Sequence, residues 1–457
     1  MLKSGDKVLV AVSGGQDSVL LFNFFIRLKD IFNLNLHIFH LNHMLRKDDS
    51  RKDAAFVREL ADKENLPSTV LSYDVPAYIA EKNLSTEEGA REVRYMLLKK
   101  VAKDIDADKV VLGHTADDQV ETFLMRLLRG SGFKGLSAIP PVRDMFIRPL
   151  IEVSRKEIEE HCKAHEIKYR VDTSNFDRAY LRNKIRHDLI PYLENYNPNF
   201  KETILQTVEI VSDDERYLEK VAEKEFKRIS IIEDGLIKFP LEDLKALSLA
   251  VRRRILRTGV EVLKGDIKGV EFKHLKDLLL DVERMPKFRR ELPGNLVIIK
   301  EYGNLVLIKR DLLKRGERVE IVLDVPGRIE IPELNVELKV SIIELREDVF
   351  ENNRFLKNKP GKTTNLIAYL DADKVLFPVR VRNRLPGDSF FPLGLKGSKK
   401  LQDYLVDAKL PERLRDFVPI VTSKDEIVWV VGHRIDDRFK VTDKTQRALK
   451  IEVQFKK

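Results

Sequence analysis

The chain has 457 residues, 43% of them hydrophobic and 34% charged, which is too long for one ordinary domain and apolar enough for two or three real cores. Its 83 basic against 74 acidic residues leave a formal charge of +9, which favours a polyanionic partner. The single cysteine, Cys162, excludes a disulfide framework, a multi-cysteine iron–sulfur site and sulfur relay between two thiols.

The chain starts on a strand. Val8–Val12 is a short β-branched run, and Leu20, Leu21, Phe24, Phe25 and Leu28 recur at helical spacing behind it. Between them lies SGGQDS, Ser13 to Ser18, a strand-to-helix turn on the carboxyl edge of a parallel sheet. Gly14 and Gly15 let a ligand approach the backbone, the helix start offers free N–H groups, and Ser13 and Ser18 add hydroxyls. Those features suit a phosphate. No GK[ST] follows the glycines, so this is not a Walker loop, and Asp17 beside phosphates makes sense if a divalent cation, most simply Mg²⁺, bridges them.

Further strands are expected at Leu36–Leu41, Ser68–Ser72, Lys109–Leu112 and Met145–Leu150, and helices at Ser18–Lys29, Arg51–Glu64, Thr86–Lys103, Asp117–Arg129 and Ser154–His165. This alternation is that of a doubly wound α/β domain with a parallel sheet. After the second strand, HLNHMLR brings His40, His43 and Arg46, two histidines short of a zinc set and better placed near a nucleotide or RNA phosphate. EEGAREVRY puts Arg91 and Arg94 on one helix face, where either could fork onto a phosphate or a carboxylate. GHTADDQVETF leaves a strand at His114 and opens a helix with Asp118 and Glu121 on one face. Acids that complement a helix start account for Asp117 and Asp118, but not for His114 and Glu121.

From Asn195 the pattern changes to long charged helices, Lys201–Phe226 and Leu241–Leu263, then a hairpin through Tyr302-Gly303-Asn304. From Glu317 short β segments dominate. The expected division is 1–195, 196–315 (mainly helical) and 316–457 (mixed and β-rich). Basic clusters suited to RNA recur: Arg182, Lys184, Arg186 and His187; Arg252, Arg253, Arg254 and Arg257; Arg380, Arg382 and Arg384; Lys396, Lys399, Lys400, Arg413 and Arg415. Each taken alone is also what a solvated surface looks like. Trp429, within IVWVV, reads as core.

SGGQDS resembles the signature of the PP-loop, or N-type ATP pyrophosphatase, family. With HLNHMLR, EEGAREVRY, GHTADDQVETFLMRLLRGSG, RPLIEVSRKEI, DTSNFDRAYLRNKIRHDLIP and the C-terminal stretch from VRNRLPGDSFF to VGHRIDDRF, the chain resembles the tRNA(Ile)-lysidine synthetase family. The resemblance implies joining free L-lysine to C2 of the cytidine at the first anticodon position of a CAU isoleucine tRNA. ATP first adenylates the C2 oxygen and releases pyrophosphate; the lysine amine then displaces AMP. It further implies ATP at Ser13, Gly14, Gly15, Gln16, Asp17 and Ser18, with Asp17 at Mg²⁺, and Arg94 and His114 at the reacting phosphate or cytidine. Asp118 and Glu121 would hold the substrate lysine, and the basic clusters the tRNA. The implied enzyme is cytoplasmic and makes no membrane contact, in keeping with the lack of an apolar stretch of spanning length; a homodimer is carried as an expectation. The competing readings are a tRNA thiolase, which the one cysteine argues against, and a non-catalytic tRNA-binding protein, which the intact loop argues against.

Overall fold

The computed structural model describes residues 1–44, 47–170, 178, 180–313, 318–345 and 366–456. They form two compact units, residues 1–219 and 220–457. No helix among the described residues is long and apolar enough to cross a membrane.

The first unit alternates strand and helix: β1 (Lys7–Ala11), α1 (Gln16–Ile31), β2 (Asn35–Asn42), α2 (Lys47–Lys63), β3 (Ser68–Ser72), α3 (Val75–Lys82), α4 (Thr86–Asp104), β4 (Lys109–Val111), α5 (Ala116–Leu128), α6 (Phe133–Leu136), β5 (Val142–Arg143), β6 (Phe146–Ile147) and α7 (Arg155–Ala164). Then come α8 (Leu181–Lys184), a π-helical turn (Ile185–Leu189), α9 (Ile190–Glu194) and α10 (Phe200–Ile229). The sheet runs β3-β2-β1-β4-β6-β5 and is parallel except for β5, which pairs antiparallel with β6. Both faces are covered, as the apolar strands require. Val8 and Val10 pack with Val57, Ile158 and Cys162 on one side, and Leu9 packs with Val93, Leu98 and Val101 on the other. Cys162 is 1% exposed, a core thiol.

Strand order reverses between β1 and β4. A crevice outside the carboxyl ends of the strands opens at such a point, and the two loops richest in chemistry, Ser13–Ser18 and Gly113–Asp118, leave those two strands.

Two of the differences from expectation have plain local causes. The strand expected at Met145–Leu150 shrinks to β6, because Pro149 has no N–H for the ladder and the chain turns back, with Arg148 N–H donating to Pro141 O at 2.9 Å. An extra helix, α3, starts where the Asp74 carboxylate caps the Ala77 N–H and ends at Asn83, φ +51°.

In the second unit, β7 (Ile231–Glu233), β8 (Leu236–Pro240), β9 (Phe288–Leu292), β10 (Leu296–Glu301) and β11 (Asn304–Lys309) form an antiparallel sheet of order β7-β8-β11-β10-β9. The hairpin read from the sequence is its β10–β11 pair. Helices α11 (Leu241–Ala246), α12 (Leu249–Lys264) and α13 (Phe272–Arg284) join one apolar face, where Ile298 and Leu307 meet Ile255 and Leu278. The helix expected over Leu241–Leu263 is thus two. Leu247 and Ser248 are extended, and the Arg252 side chain donates to the carbonyls of Lys245 and Leu247, closing the first helix end.

The remaining strands make two four-stranded antiparallel sheets. One is β12 (Glu320–Leu323), β16 (Val379–Arg382), β19 (Ile420–Ser423) and β20 (Glu426–Val430). The other is β13 (Gly327–Ile331), β14 (Val336–Glu344), β21 (Arg447–Phe455) and β15 (Ile367–Asp371), and a short β17 (Ser389–Phe390) and β18 (Lys399–Lys400) pair beside them. The two large sheets share one core, in which Trp429 is 1% exposed.

Candidate active site

The loop after β1 bonds two of its N–H groups, those of Ser13 and Gly15, to its own serines. Gly14 has φ +95°, a conformation other residues rarely adopt. Gly15 caps α1 without any side-chain bond to the first turn. The serines organise the turn instead: Ser18 Oγ accepts from Ser13 N–H at 3.1 Å, donates to Gly15 O at 2.9 Å and lies 3.0 Å from Ser13 Oγ. The helix start therefore points unpaired donors and its positive end into the crevice, an anion site made of backbone. Behind the loop, His40 is 3% exposed and its Nδ1 meets Val12 O at 2.8 Å, which fixes the end of β1.

The second loop packs against the first. A Cβ on Gly113 would come 3.4 Å from the backbone of Asp17 and Ser18, so the two loops lie in van der Waals contact here. His114 follows at the same rim. Thr115 then caps α5 in a reciprocal box: Asp118 Oδ2 accepts from Thr115 N–H at 2.9 Å, and Thr115 Oγ1 from Asp118 N–H.

The acids of α5 are not vacant. Glu121, 1% exposed, accepts from Arg182 Nε at 2.7 Å and from Arg186 Nε and Nη2 at 2.6 and 3.0 Å. Asp118 Oδ1 accepts from Arg182 Nη2 at 2.9 Å. Arg155, the first residue of α7, lies 3.6 Å from Glu121, 3.7 Å from Asp118 and 4.0 Å from Asp17, and its main-chain N–H donates to Asp117 at 2.6 Å. Lys201 of α10 reaches Asp117 at 3.1 Å. Asp17, Asp117, Asp118 and Glu121 thus face Arg155, Arg182, Arg186 and Lys201, four charges of each sign. Burial works against the charge on Asp117, but the Arg155 N–H and Lys201 outweigh it and hold the carboxyl below the usual range.

Asp17 differs. Its Oδ1 is buried with no hydrogen-bond partner, as is Gln16 Nε2. Burial, opposed by Arg155 and reinforced by Asp118, pushes its carboxyl up to about 6. An orphaned carboxylate oxygen at a phosphate-binding turn fits a divalent cation whose other ligands come from the phosphates. Because folding raises this pKa, the group contributes stability that is fully present below the ordinary carboxylate range and is lost as pH rises through about 6. Urea midpoints of the nucleotide-free protein are therefore expected to show a falling component between pH 4 and pH 6 that Asp17→Asn lacks; parallel curves for the two proteins would refute it.

His114 is pushed down to about 3 by burial first and then by Arg148, Arg182, Arg94 and Arg91, so its imidazole is neutral throughout the physiological range, and its Nδ1 has no partner. Arg94 Nη2 lies 3.5 Å from His43 Nε2, and Arg91 stacks on Tyr95 at 5.0 Å. Arg46, residues 172–177 and Ala179 fall outside the described residues.

The basic residues read from the sequence as RNA contacts are variously engaged. Arg182 and Arg186 belong to the carboxylate cluster. In the second unit Arg252 pairs with Glu283 at 2.5 Å, Arg253 lies over the Phe272 ring and Arg257 is exposed. Arg380 lies 3.7 Å from Glu320, while Arg382, nearly buried, makes two 2.8 Å bonds to Asp388. Arg384 pairs with Asp416 at 2.7 Å, Lys399 with Asp407, and the enclosed Arg413 with Glu301 at 3.4 Å. Arg415 is buried and bonds Leu410 O and Tyr302 Oη, whereas Lys400 is exposed. Sequence reasoning missed Arg155, Arg148 and Lys201. Arg148 and Arg155 stand within RPLIEVSRKEI, a segment that carries the family resemblance, yet no role was assigned to them; Lys201 carries no such signal, and the fold brings it to Asp117.

Comparison with known proteins agrees with this architecture. A PP-loop domain matches residues 2–193, and a "TilS substrate C-terminal domain" matches residues 379–453. The tRNA(Ile)-lysidine synthase of Caldanaerobacter subterraneus subsp. tengcongensis is 35% identical over 99% of this chain and 94% of its own. Those of Clostridioides difficile and Clostridium tetani are each 34% identical, over 99% and 100% of this chain and 96% of theirs. With a phosphate loop and an acid-bearing helix start meeting at one sheet edge, and with likeness running nearly end to end, the chain belongs to the tRNA(Ile)-lysidine synthase family of PP-loop, ATP-using ligases.

Proposed function

We propose that the protein ligates free lysine to C2 of the first anticodon cytidine of a CAU isoleucine tRNA, in two steps at the β1/β4 crevice. The cytidine O2 forms a bond to the α-phosphorus of ATP, and the bond to the bridging oxygen breaks with its electron pair leaving on pyrophosphate. The lysine amine then attacks C2, the C2–O bond breaks, AMP departs and the amine proton passes to a base or to water. The observation that carries this reading is the free helix start behind Gly14 and Gly15, held against the His114 loop by the close approach at Gly113.

The α-, β- and γ-phosphates would lie on the Ser13–Ser18 loop. Mg²⁺, held by Asp17 through its orphaned oxygen, would neutralise charge on the departing pyrophosphate. Arg94 stands beside His43 at the rim, positioned to reach the reacting phosphate or the base. His114, kept neutral, offers hydrogen bonds to the cytosine without adding charge.

Asp118 and Glu121 differ as lysine ligands. Glu121 is enclosed and saturated by arginines, so it serves as their anchor. Asp118 keeps 12% of its side chain exposed, and its outer oxygen holds one short bond, from Arg182. A substrate ammonium would displace that guanidinium from Asp118, and the freed Arg182 would turn to an anion. In the second unit the exposed Arg257 and Lys400 remain available to tRNA phosphates.

The test is direct. Incubated with ATP, Mg²⁺, radiolabelled lysine and a CAU isoleucine transcript, the protein should label one nucleotide, the first anticodon cytidine, with AMP and pyrophosphate formed in equal amounts. ADP in place of AMP, or label that does not require lysine's free amine, would refute the reading.

A further inference from the structure

Arg148 is a guanidinium that the reaction just described does not use. It follows β6 at the carboxyl edge, is 1% exposed and ranks among the bulkiest fully enclosed side chains. One N–H group donates to Pro140 O at 2.7 Å and another to the Tyr95 hydroxyl at 3.2 Å, while Nε has no partner. Among the described residues no carboxylate pairs with it. Two other enclosed arginines have an acid, Arg382 with Asp388 and Arg413 with Glu301, while Arg415, like Arg148, bonds a backbone carbonyl and a tyrosine hydroxyl; Arg148 is the most deeply enclosed of them.

An enclosed charge without a counter-charge costs several kcal/mol. A side chain needed only to fill space there would be apolar. The surroundings do not relieve the cost; they add to it. The guanidinium groups of Arg91 and Arg143 lie 5.0 and 5.2 Å from the centre of the Tyr95 ring, and its hydroxyl is the acceptor for an Arg148 N–H. Leu112 N–H donates to Ile147 O at 3.0 Å, so Arg148 leaves β6 beside the Gly113–His114 turn that leaves β4, and its charge bears on the His114 imidazole, together with those of Arg182, Arg94 and Arg91. His114 adjoins Gly113, which touches the phosphate loop at Asp17 and Ser18. Arg91, Arg94 and Arg143 are exposed and Arg182 is paired with Asp118 and Glu121, so among these arginines Arg148 is the one whose charge is enclosed and without an acid among the described residues.

Resting on the adenylation reading above, we propose that Arg148 is a positioning residue for the first step: through Tyr95 and beside His114 it supplies a fixed positive charge for the α-phosphoryl group as it passes from pyrophosphate to the cytidine O2. It does not touch the nucleotide. Its charge is oriented before the substrate arrives, so no solvent has to reorganise when negative charge shifts along the in-line path.

The two steps can be separated by omitting lysine. Pyrophosphate release is measured in a single turnover with ATP, Mg²⁺ and the CAU transcript; lysine KM and kcat are measured in the complete reaction; thermal midpoints are recorded for each protein. Arg148→Met should melt no lower than wild type, release pyrophosphate at least about tenfold more slowly, and keep the lysine KM. Arg148→Lys should recover part of the rate. Wild-type pyrophosphate release by Arg148→Met, or a loss that Arg148→Lys does not relieve, overturns the proposal. If Arg148→Met does not fold, Tyr95→Phe gives the second measurement, since it cuts the bond that ties the guanidinium to α4. Pyrophosphate release slowed by about threefold or more with an unchanged lysine KM supports the proposal, and an unchanged rate overturns it. Wild-type protein that releases no pyrophosphate with the transcript would instead remove the adenylation reading itself.

Discussion

Glu121→Gln is expected to cost about 3–5 kcal/mol of stability in the first unit and to abolish ligation. Glutamine keeps the shape but not the charge, and it brings an amide donor to face guanidinium donors. Arg182 and Arg186 are left with one neutral oxygen where two charged ones took three of their N–H groups, and Arg155 loses a charged neighbour at 3.6 Å. Glu121 is 1% exposed, so water replaces little on the inner side of the cluster, although Arg182 and Arg186 keep 28% and 20% of their side chains exposed. The urea midpoint checks the stability and lysine incorporation checks the activity. A variant that folds as well as wild type and still ligates would mean that the arginines do not depend on this carboxylate.

Asp17→Asn should behave in the opposite way. Burial, only partly offset by Arg155, opposes ionisation of its carboxyl, so removing the charge relieves the fold at neutral pH. The midpoint is expected to stay or rise. Pyrophosphate release should nevertheless fall by about 10²–10³, the usual loss when one preorganised electrostatic partner of a transition state is removed. Higher Mg²⁺ should recover little, because the ligand oxygen itself is gone. Near-normal pyrophosphate release by Asp17→Asn would place the cation elsewhere. Together the pair of variants separates a charge the fold depends on from a charge the fold tolerates.

Much of the first unit was legible because its signals are local. A β-branched run, two glycines and an apolar helix face mark β1, the turn and α1 within about six residues of one another. Ser85, Thr115 and Ser154 cap helices at the positions where the sequence suggested starts. What stayed hidden was pairing over distance. Arg182 and Arg186 read as RNA clamps, yet they lie on Glu121, 61 and 65 residues earlier. No periodicity distinguishes a guanidinium that meets phosphate from one that meets a carboxylate of its own chain. The alternation in VRVRNR does place Arg380 and Arg382 on one strand face, but the loop acid Asp388 that engages Arg382 cannot be recognised without the fold. The break at Leu247-Ser248 was missed because both flanking segments are helical and in phase.

Cys162 has a practical consequence. It sits in the core beneath the sheet, 1% exposed, and burial raises its thiol above the usual range, so it offers maleimide and haloacetamide reagents neither access nor thiolate. A cysteine introduced at a chosen surface position would then be the one group that couples to a fluorophore or spin label, with the wild-type background left untouched. Pairs of such labels, one in residues 1–219 and one in residues 220–457, would report distances in solution as nucleotide, lysine and transcript are added in turn.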